Sequence, residues 1–285
     1  MASTVGVLAL QGGFLEHLSL LHKAFAHLKT SYPDKWQHRN LNFIEVRNPV
    51  ELSRCDALVI PGGESTTIAF IAGQSGLLEP LRQFVKYAVV HCVRSVLRSS
   101  SRTLTWSTRV ERKPTWGTCA GLILLSEEAN ATKKGGQELI GGLDVRVQRN
   151  HFGRQVESFI ADVDLPFLGQ GGGSVPFPGV FIRAPIVEEL LTSNPSKLAN
   201  TGEQETAVDS GQGVQVLAVL PNRTRRVQAG RDLDEADDTV SKVNDIVAVR
   251  QGNVLGTSFH PELTDDIRMH VWWLDEVFSH HQPSI

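Results

Sequence analysis

Thr115-Trp116-Gly117-Thr118-Cys119-Ala120-Gly121-Leu122-Ile123-Leu124-Leu125 is the stretch on which the fold turns. A short run leads into a Gly-x-Cys-x-Gly pentapeptide, and Leu122, Ile123, Leu125 and Ala129 follow at helical spacing. That order predicts a strand, a tight elbow and a helix running through Ala129, with the cysteine side chain forced out at the top of a sheet. The same grammar appears upstream. Val5 to Leu10 is an unbroken apolar run stopped by Gln11-Gly12-Gly13, after which Phe14, Leu18, Leu21, Phe25 and Leu28 recur on one helical face. Leu41 to Val46 and Ala57 to Ile60 read as buried strands, and the second stops at Pro61-Gly62-Gly63 before a helix capped by Ser65 or Thr66. Strands alternating with helices predict an α/β fold: a central, mostly parallel sheet flanked by helices, with ligands at the carboxyl ends of the strands.

The second half is strand-rich. Leu143 to Gln148, Gln155 to Val163, Gly179 to Ile182, Val214 to Leu220 and Ile246 to Arg250 carry Val, Ile and Phe between turn-forming clusters. Asp265 to Phe278 closes the chain as a helix with Ile267, Val271, Leu274 and Phe278 on one face. With no repeat and no linker, residues 1–285 read as a single domain. Three segments stand apart. Tyr87 to Arg112 holds five arginines, five serines and one acid, and is expected to lie outside the core as a loop or loosely attached helix, although its valines also fit an apolar helical face. Gly169 to Ser174 reads as a surface loop without the framing of a phosphate cradle, and Asp232 to Asp238 as a solvated acidic run.

Composition narrows the function classes. In 285 residues, 41% hydrophobic content with 25 glycines is enough for a sizeable core. A net charge of −3 supplies no global positive field, which argues against a nucleic-acid partner. Cys55, Cys92 and Cys119 are too few for a disulfide framework and form no zinc-binding pair, which fits a reducing, cytoplasmic setting and no metal. The start, Met1-Ala-Ser-Thr4, lacks the features of a secretory signal, and no apolar stretch is long enough to span a membrane.

The elbow carries the chemistry. Cys119 sits where a helix start favours its thiolate and where the amide of Ala120 can point at an oxyanion. By itself the pentapeptide also fits a small buried cysteine. A thiolate that forms acyl intermediates needs a base, and the base an orienting partner. Among ten histidines, His17, His22 and His27 lie on or near a helix and read as bland, while His260-Pro261-Glu262 follows a strand-like run, where extended geometry brings Glu262 to the imidazole. Glycines of Pro61-Gly62-Gly63-Glu64-Ser65 expose amides that would complete an oxyanion hole. Arg149 and Arg183 end strands, where an arginine either grips a carboxylate or is a plain surface charge.

Taken together, Leu10-Gln-Gly12, Pro61 to Thr66, Gly117 to Gly121, Arg149 to Gln155, Gly179 to Pro185 and Ser258 to Thr264 resemble the glutaminase subunits of pyridoxal 5′-phosphate synthase. These are class I glutamine amidotransferases of flavodoxin-like architecture. The resemblance implies a catalytic triad of Cys119, His260 and Glu262 and oxyanion donors at Gly63 and Ala120. It implies L-glutamine held near Gly63, Glu64, Ser65, Arg149, Ile182 and Arg183. It further implies no cofactor, and ammonia passed to a separate synthase subunit for vitamin B6 synthesis. A γ-glutamyl peptide hydrolase with the same triad and a silent scaffold are the alternatives. Departures from the family are His151, where it usually has Ser, the Gly169 loop, the acidic stretch, and an atypical insertion at about 87–112.

Overall fold

The structure is a computed structural model, and it describes residues 2–86, 89–95, 105–111, 113–130, 136–152, 158–169, 175–191, 213–221 and 245–279. The first half alternates as the apolar runs predict. β1 (Ser3–Leu8) leads to α1 (Phe14–Ser31), a short α2 (Pro33–Trp36), β2 (Leu41–Val46), α3 (Pro49–Ser53), β3 (Ala57–Ile60), α4 (Ser65–Gln74) and α5 (Leu78–Lys86). β4 (Val89–Ser95) and β5 (Thr105–Glu111) follow, then β6 (Thr115–Thr118) and α6 (Ala120–Leu125). The remainder comprises β7 (Ser126–Ala129), β8 (Leu143–Gln148), β9 (Phe159–Val163), β10 (Phe177–Phe181), β11 (Ile186–Leu190), β12 (Gln215–Leu220), β13 (Asp245–Gln251), β14 (Val254–Thr257) and α7 (Arg268–Ser279).

The main sheet has the order β2-β1-β3-β6-β14-β13-β11-β8-β7, with β12 also pairing β13. Strands β2, β1, β3, β6 and β14 are mutually parallel. Their carboxyl ends therefore share one edge, where the turns after Leu8, Ile60, Thr118 and Thr257 meet. From β14 the sheet turns antiparallel through β13, β11 and β8. Gln148 faces Ile186 and Val187 faces Ile246, so the chain leaving β8 and the chain entering β11 emerge side by side near the start of β13.

Both faces of the parallel half are covered, and the sequence shows why. In β3, Ala57 and Val59 join the apolar layer beneath α1 and α7 with Leu21, Trp116 and Trp273. Leu58 and Ile60 point the other way and join Ile68, Leu81 and Leu122 beneath α4, α5 and α6. A strand buried on both faces has no polar alternation to show, hence the unbroken apolar runs.

Two elements differ from expectation. Residues 89–95 and 105–111, expected as loop or loosely attached helix, pair antiparallel from Val89↔Glu111 to Ser95↔Thr105 in a sheet of their own. Seven-residue arms containing Val89, Val90, Val93, Thr105, Thr108 and Val110 are β-branched at positions where a helix restricts side-chain rotation. The helix after Cys119 stops at Leu125 rather than running through Ala129, because Ser126 turns extended (φ −70°, ψ 150°) and Ser126–Ala129 pairs with β8. Residues 170–174 of the glycine-rich loop and the acidic run 232–238 lie outside the described residues. No helix among the described residues is long and apolar enough to cross a membrane.

Candidate active site

Cys119 caps α6 with φ 47° and ψ −98°, a left-handed backbone that a non-glycine residue adopts only at a cost of roughly 1 to 3 kcal/mol. Its neighbours make that turn possible. A methyl group at Gly121 would overlap the carbonyl of Ile60, so only glycine lets α6 start this close to β3. The Cys119 amide donates to the Thr257 carbonyl at 2.7 Å, which ties the elbow to the end of β14. Cys119 is 5% exposed, and its sulfur lies 3.9 Å from the Ile182 carbonyl. Ala120, the first residue of α6, carries one of the amides that a helix cannot pair internally.

His260 and Glu262 sit on the turn after β14. The Glu262 Oε1 accepts from His260 Nδ1 at 2.8 Å, and the His260 amide donates to the Val180 carbonyl at 2.8 Å. A methyl group at Gly62 would collide with the imidazole, so the turn after β3 packs directly on His260. Burial disfavours the imidazolium, but the Cys119 sulfur beside it and the hydrogen-bonded Glu262 outweigh that, and the His260 pKa is raised to about 10. Burial likewise disfavours the Glu262 carboxylate, yet His17 and His260 hold it ionised, far below the usual carboxylate range. An imidazole thus spans sulfur and carboxylate in a nearly closed site.

The turn after β3 is fixed by β1. The Gly62 carbonyl accepts from the Gly13 amide at 3.0 Å, which directs the Gly63 amide to the other side of the peptide plane. The Glu64 amide donates to Gln11 Oε1 at 2.7 Å. Glu64 also caps α4; Thr66 Oγ1 donates to its carboxylate at 2.7 Å, and this bond, helped by Arg149 and Arg183, keeps its pKa low. Ser65 is buried and its hydroxyl lies 3.0 Å from Gln137 Oε1.

Arg149 leaves β8 and approaches Glu64 at 3.9 Å, while its buried Nε has no hydrogen-bond partner among the described residues. Arg183 precedes β11 with φ 46°, and Asn150, next to Arg149, has φ 54°. Among the described residues, Cys119, Asn150 and Arg183 are the non-glycine residues with positive φ. Backbone strain gathers in functional sites because surrounding structure must hold it there. His151, the departure from the family pattern, lies 3.2 Å from the Asp245 carboxylate at the start of β13 and 3.0 Å from Gln148 Oε1. It braces the turn that carries Arg149.

The sequence positions Gly63, Glu64, Ser65, Cys119, Ala120, Arg149, Ile182, Arg183, His260 and Glu262 thus lie on converging turns. His17, bland by sequence, is fully buried against Glu262. The signal available in sequence was its place between Phe14, Leu18 and Leu21 on the apolar face of α1.

A cysteine on a strand–helix elbow, beside an imidazole anchored by a carboxylate, defines a class of α/β enzymes that transfer acyl groups through a thiol. The sequence pattern of the SNO glutamine amidotransferase family matches residues 7–96, 94–222 and 215–279. The chain belongs to that family. It is 38% identical to the probable pyridoxal 5′-phosphate synthase subunit PDX2 of Arabidopsis thaliana, covering 95% of this chain and 84% of that one. It is also 38% identical to pyridoxal 5′-phosphate synthase subunit PdxT of Streptomyces avermitilis, over 98% and 96% of the two chains. A crystal structure of a glutamine amidotransferase superposes with a TM-score of 0.58 at 33% identity, over 96% of this chain and 98% of the other.

Proposed function

We propose that this chain hydrolyses L-glutamine to glutamate and ammonia through a thioester on Cys119, and that the ammonia serves a pyridoxal 5′-phosphate synthase subunit. The observation that carries the reading is the placement of His260 between Glu262, whose Oε1 accepts from Nδ1 at 2.8 Å, and the Cys119 sulfur, which raises the imidazole pKa. Relatives named as subunits of pyridoxal 5′-phosphate synthase support the partner.

In the proposed reaction the sulfur attacks the side-chain carbonyl carbon of glutamine, forming the S–C bond while the carbonyl π electrons move to oxygen. The amides of Gly63 and Ala120 receive that oxyanion. The imidazolium of His260 gives its proton to the departing nitrogen, the C–N bond breaks, and ammonia leaves a γ-glutamyl thioester. Neutral His260 then takes a proton from water, whose oxygen attacks the thioester; the C–S bond breaks and glutamate is released with the thiolate restored. Glu262 keeps the ring oriented through both steps. Arg149 and Arg183 hold the α-carboxylate of glutamine, with Glu64, Ser65 and the Ile182 carbonyl around the remainder of the substrate. No step draws on a cofactor or a metal.

The whole chain is read as one amidotransferase domain interrupted at about 87–112, supported by the break of the family match at residues 94–96 and by the separate β4–β5 sheet. A cytoplasmic setting is supported by Cys55 and Cys119 both being free thiols.

Glutamate and ammonia release, measured with and without a synthase subunit, tests the proposal. Low turnover alone and a rise on adding the partner are expected, because ammonia released into water is wasted. Faster cleavage of γ-glutamyl peptides than of glutamine, with no response to the partner, would overturn it.

A further inference from the structure

Behind Glu262 lies a pair of histidines that the proposed chemistry does not use. His17 of α1 and His270 of α7 are both fully buried, 253 positions apart, with His17 Nδ1 3.0 Å from His270 Nε2. His17 Nε2 is 3.2 Å from Glu262 Oε2 and also 3.2 Å from Thr118 Oγ1. It lies close enough to pair with the carboxylate but is shared with the threonine rather than aligned on one acceptor. Trp116 closes the pocket, its ring edge-on to His17 at 5.6 Å and to His270 at 5.0 Å.

For a neutral His17 the hydrogen-bond inventory orders the protons. The ionised Glu262 only accepts, so the nitrogen facing Oε2 must carry a hydrogen; a bare lone pair there would be repelled. Burial, and next the charge His17 would carry, hold the His270 pKa well below its ordinary value, so His270 is neutral and has one N–H. With His17 Nε2 protonated, a neutral His17 accepts at Nδ1, which requires the His270 hydrogen on Nε2. The buried His270 Nδ1 then bears a lone pair, and it has no hydrogen-bond partner among the described residues. The order is then His270 Nε2–H to His17 Nδ1 and His260 Nδ1–H to Glu262 Oε1, while Glu262 Oε2 has no aligned hydrogen-bond partner among the described residues and is met by His17 Nε2 as a close polar contact at 3.2 Å.

From this geometry we propose that His17 is a positioning residue for the hydrolysis: it holds the second oxygen of Glu262, while His270 sets the tautomer in which it does so. The inference rests on the reading of Cys119, His260 and Glu262 as the reacting set. One oxygen of Glu262 orients His260 and the other is anchored to α1, so the carboxylate cannot rotate away from the imidazole as the proton moves between sulfur, nitrogen and water. The anchor is built from two helices that pack on each other, so the triad is registered against the body of the fold and not only against its own turn.

The test uses the full chain with a synthase subunit. His17→Leu is expected to lower kcat about tenfold, the worth of one close polar contact to a buried charged group, with KM unchanged. His17→Gln, whose amide N–H reaches the same oxygen, is expected to recover most of that loss. In a Glu262→Gln background His17→Leu should cost little more, since the carboxylate it holds is gone. An equal loss in both backgrounds, or a drop in thermal stability with kcat unchanged, overturns the positioning role. If His17→Leu does not fold, His270→Leu takes its place: a fall in kcat supports the proposal and an unchanged kcat overturns it. Alkylation of Cys119 by iodoacetamide, followed at that residue by peptide mass, gives a readout that needs no glutamine. If the unaltered chain with its partner fails to hydrolyse glutamine, the functional reading falls; alkylation slowed by His17→Leu and restored by His17→Gln would still uphold the positioning role, and alkylation unchanged by His17→Leu would overturn it.

Discussion

Cys55 and Cys119 are both buried free thiols, 1% and 5% exposed, and their surroundings make them chemically unlike. Cys55 sits just before β3, donating to the Glu51 carbonyl at 3.3 Å. Burial raises its pKa to about 11, and Lys113, whose ammonium is engaged with the Cys55 carbonyl at 2.7 Å, offsets little of that. Cys119 is buried almost as deeply but has His260 beside it, with a pKa raised to about 10 by contact with the sulfur and Glu262. Exclusion of water alone raises a thiol's pKa, and an imidazolium beside a sulfur acts in the opposite direction. Both are small, buried and free, and what separates them is the residues placed around each sulfur.

The sharpest way to break this contrast is to remove each sulfur in turn. Cys119→Ala is expected to lower glutamine hydrolysis by at least about 1,000-fold, because no neighbour can form the thioester, whereas Cys55→Ala should leave turnover within about twofold. The same pair of variants sorts the histidine: NMR titration should show the His260 pKa falling in Cys119→Ala and unmoved in Cys55→Ala.

Substrate charges are the next difference, since Arg149 and Arg183 both act on Glu64 at the turn after β3. Arg149→Ala or Arg183→Ala is expected to raise KM for glutamine by about one to two orders of magnitude, the worth of a charge-assisted hydrogen bond, with a smaller effect on kcat. Unchanged saturation in both variants would make them surface charges.

Alkaline stability separates the two sites by pH. His260, with its pKa raised from 6.5, contributes stability that is complete below pH 6.5 and lost as pH rises toward about 10. Cys55, raised from 9.0, contributes stability complete below pH 9.0 and lost toward about 11. Denaturant unfolding across this range should therefore weaken in two stages, the first reduced in Cys119→Ala and the second abolished in Cys55→Ala. On the acid side, Glu262 contributes stability present above pH 4.5 and lost as pH falls below it. At neutral pH the cost of Cys55→Ala should be about 1 kcal/mol, that of a small buried void.

The smallest effect expected is from deleting 87–112 and joining Lys86 to Lys113. Partner-stimulated turnover should be equal or better, and misfolding or loss of the partner's response would show that the segment is integral.

Legibility in sequence followed burial. Ala57–Ile60, Thr115–Thr118 and Leu143–Gln148 were visible because a strand inside a sheet is marked by the residues it hides; Leu41–Val46, expected to be buried, is the edge strand, with only Val46 buried. Ser126–Ala129 was not, because Ser-Glu-Glu-Ala continues a helical pattern and becomes a strand only when β8 supplies its hydrogen bonds. The elbow and His-Pro-Glu announced themselves through local spacing. His17 and His270 did not, since periodicity tells which face of a helix is buried and not which other buried face it meets.

The β4–β5 arms enter the chain immediately before Thr115, the amino end of β6, while Cys119 stands just past its carboxyl end. Four residues of strand, roughly 13 Å, separate the two. A parallel sheet thus has a working edge and an idle edge, and additions spliced into the idle one leave the geometry of the other untouched. This makes the segment around 87–112 a natural place to graft a fluorophore, an affinity tag or a second protein, with the enzyme's own turnover as the internal control.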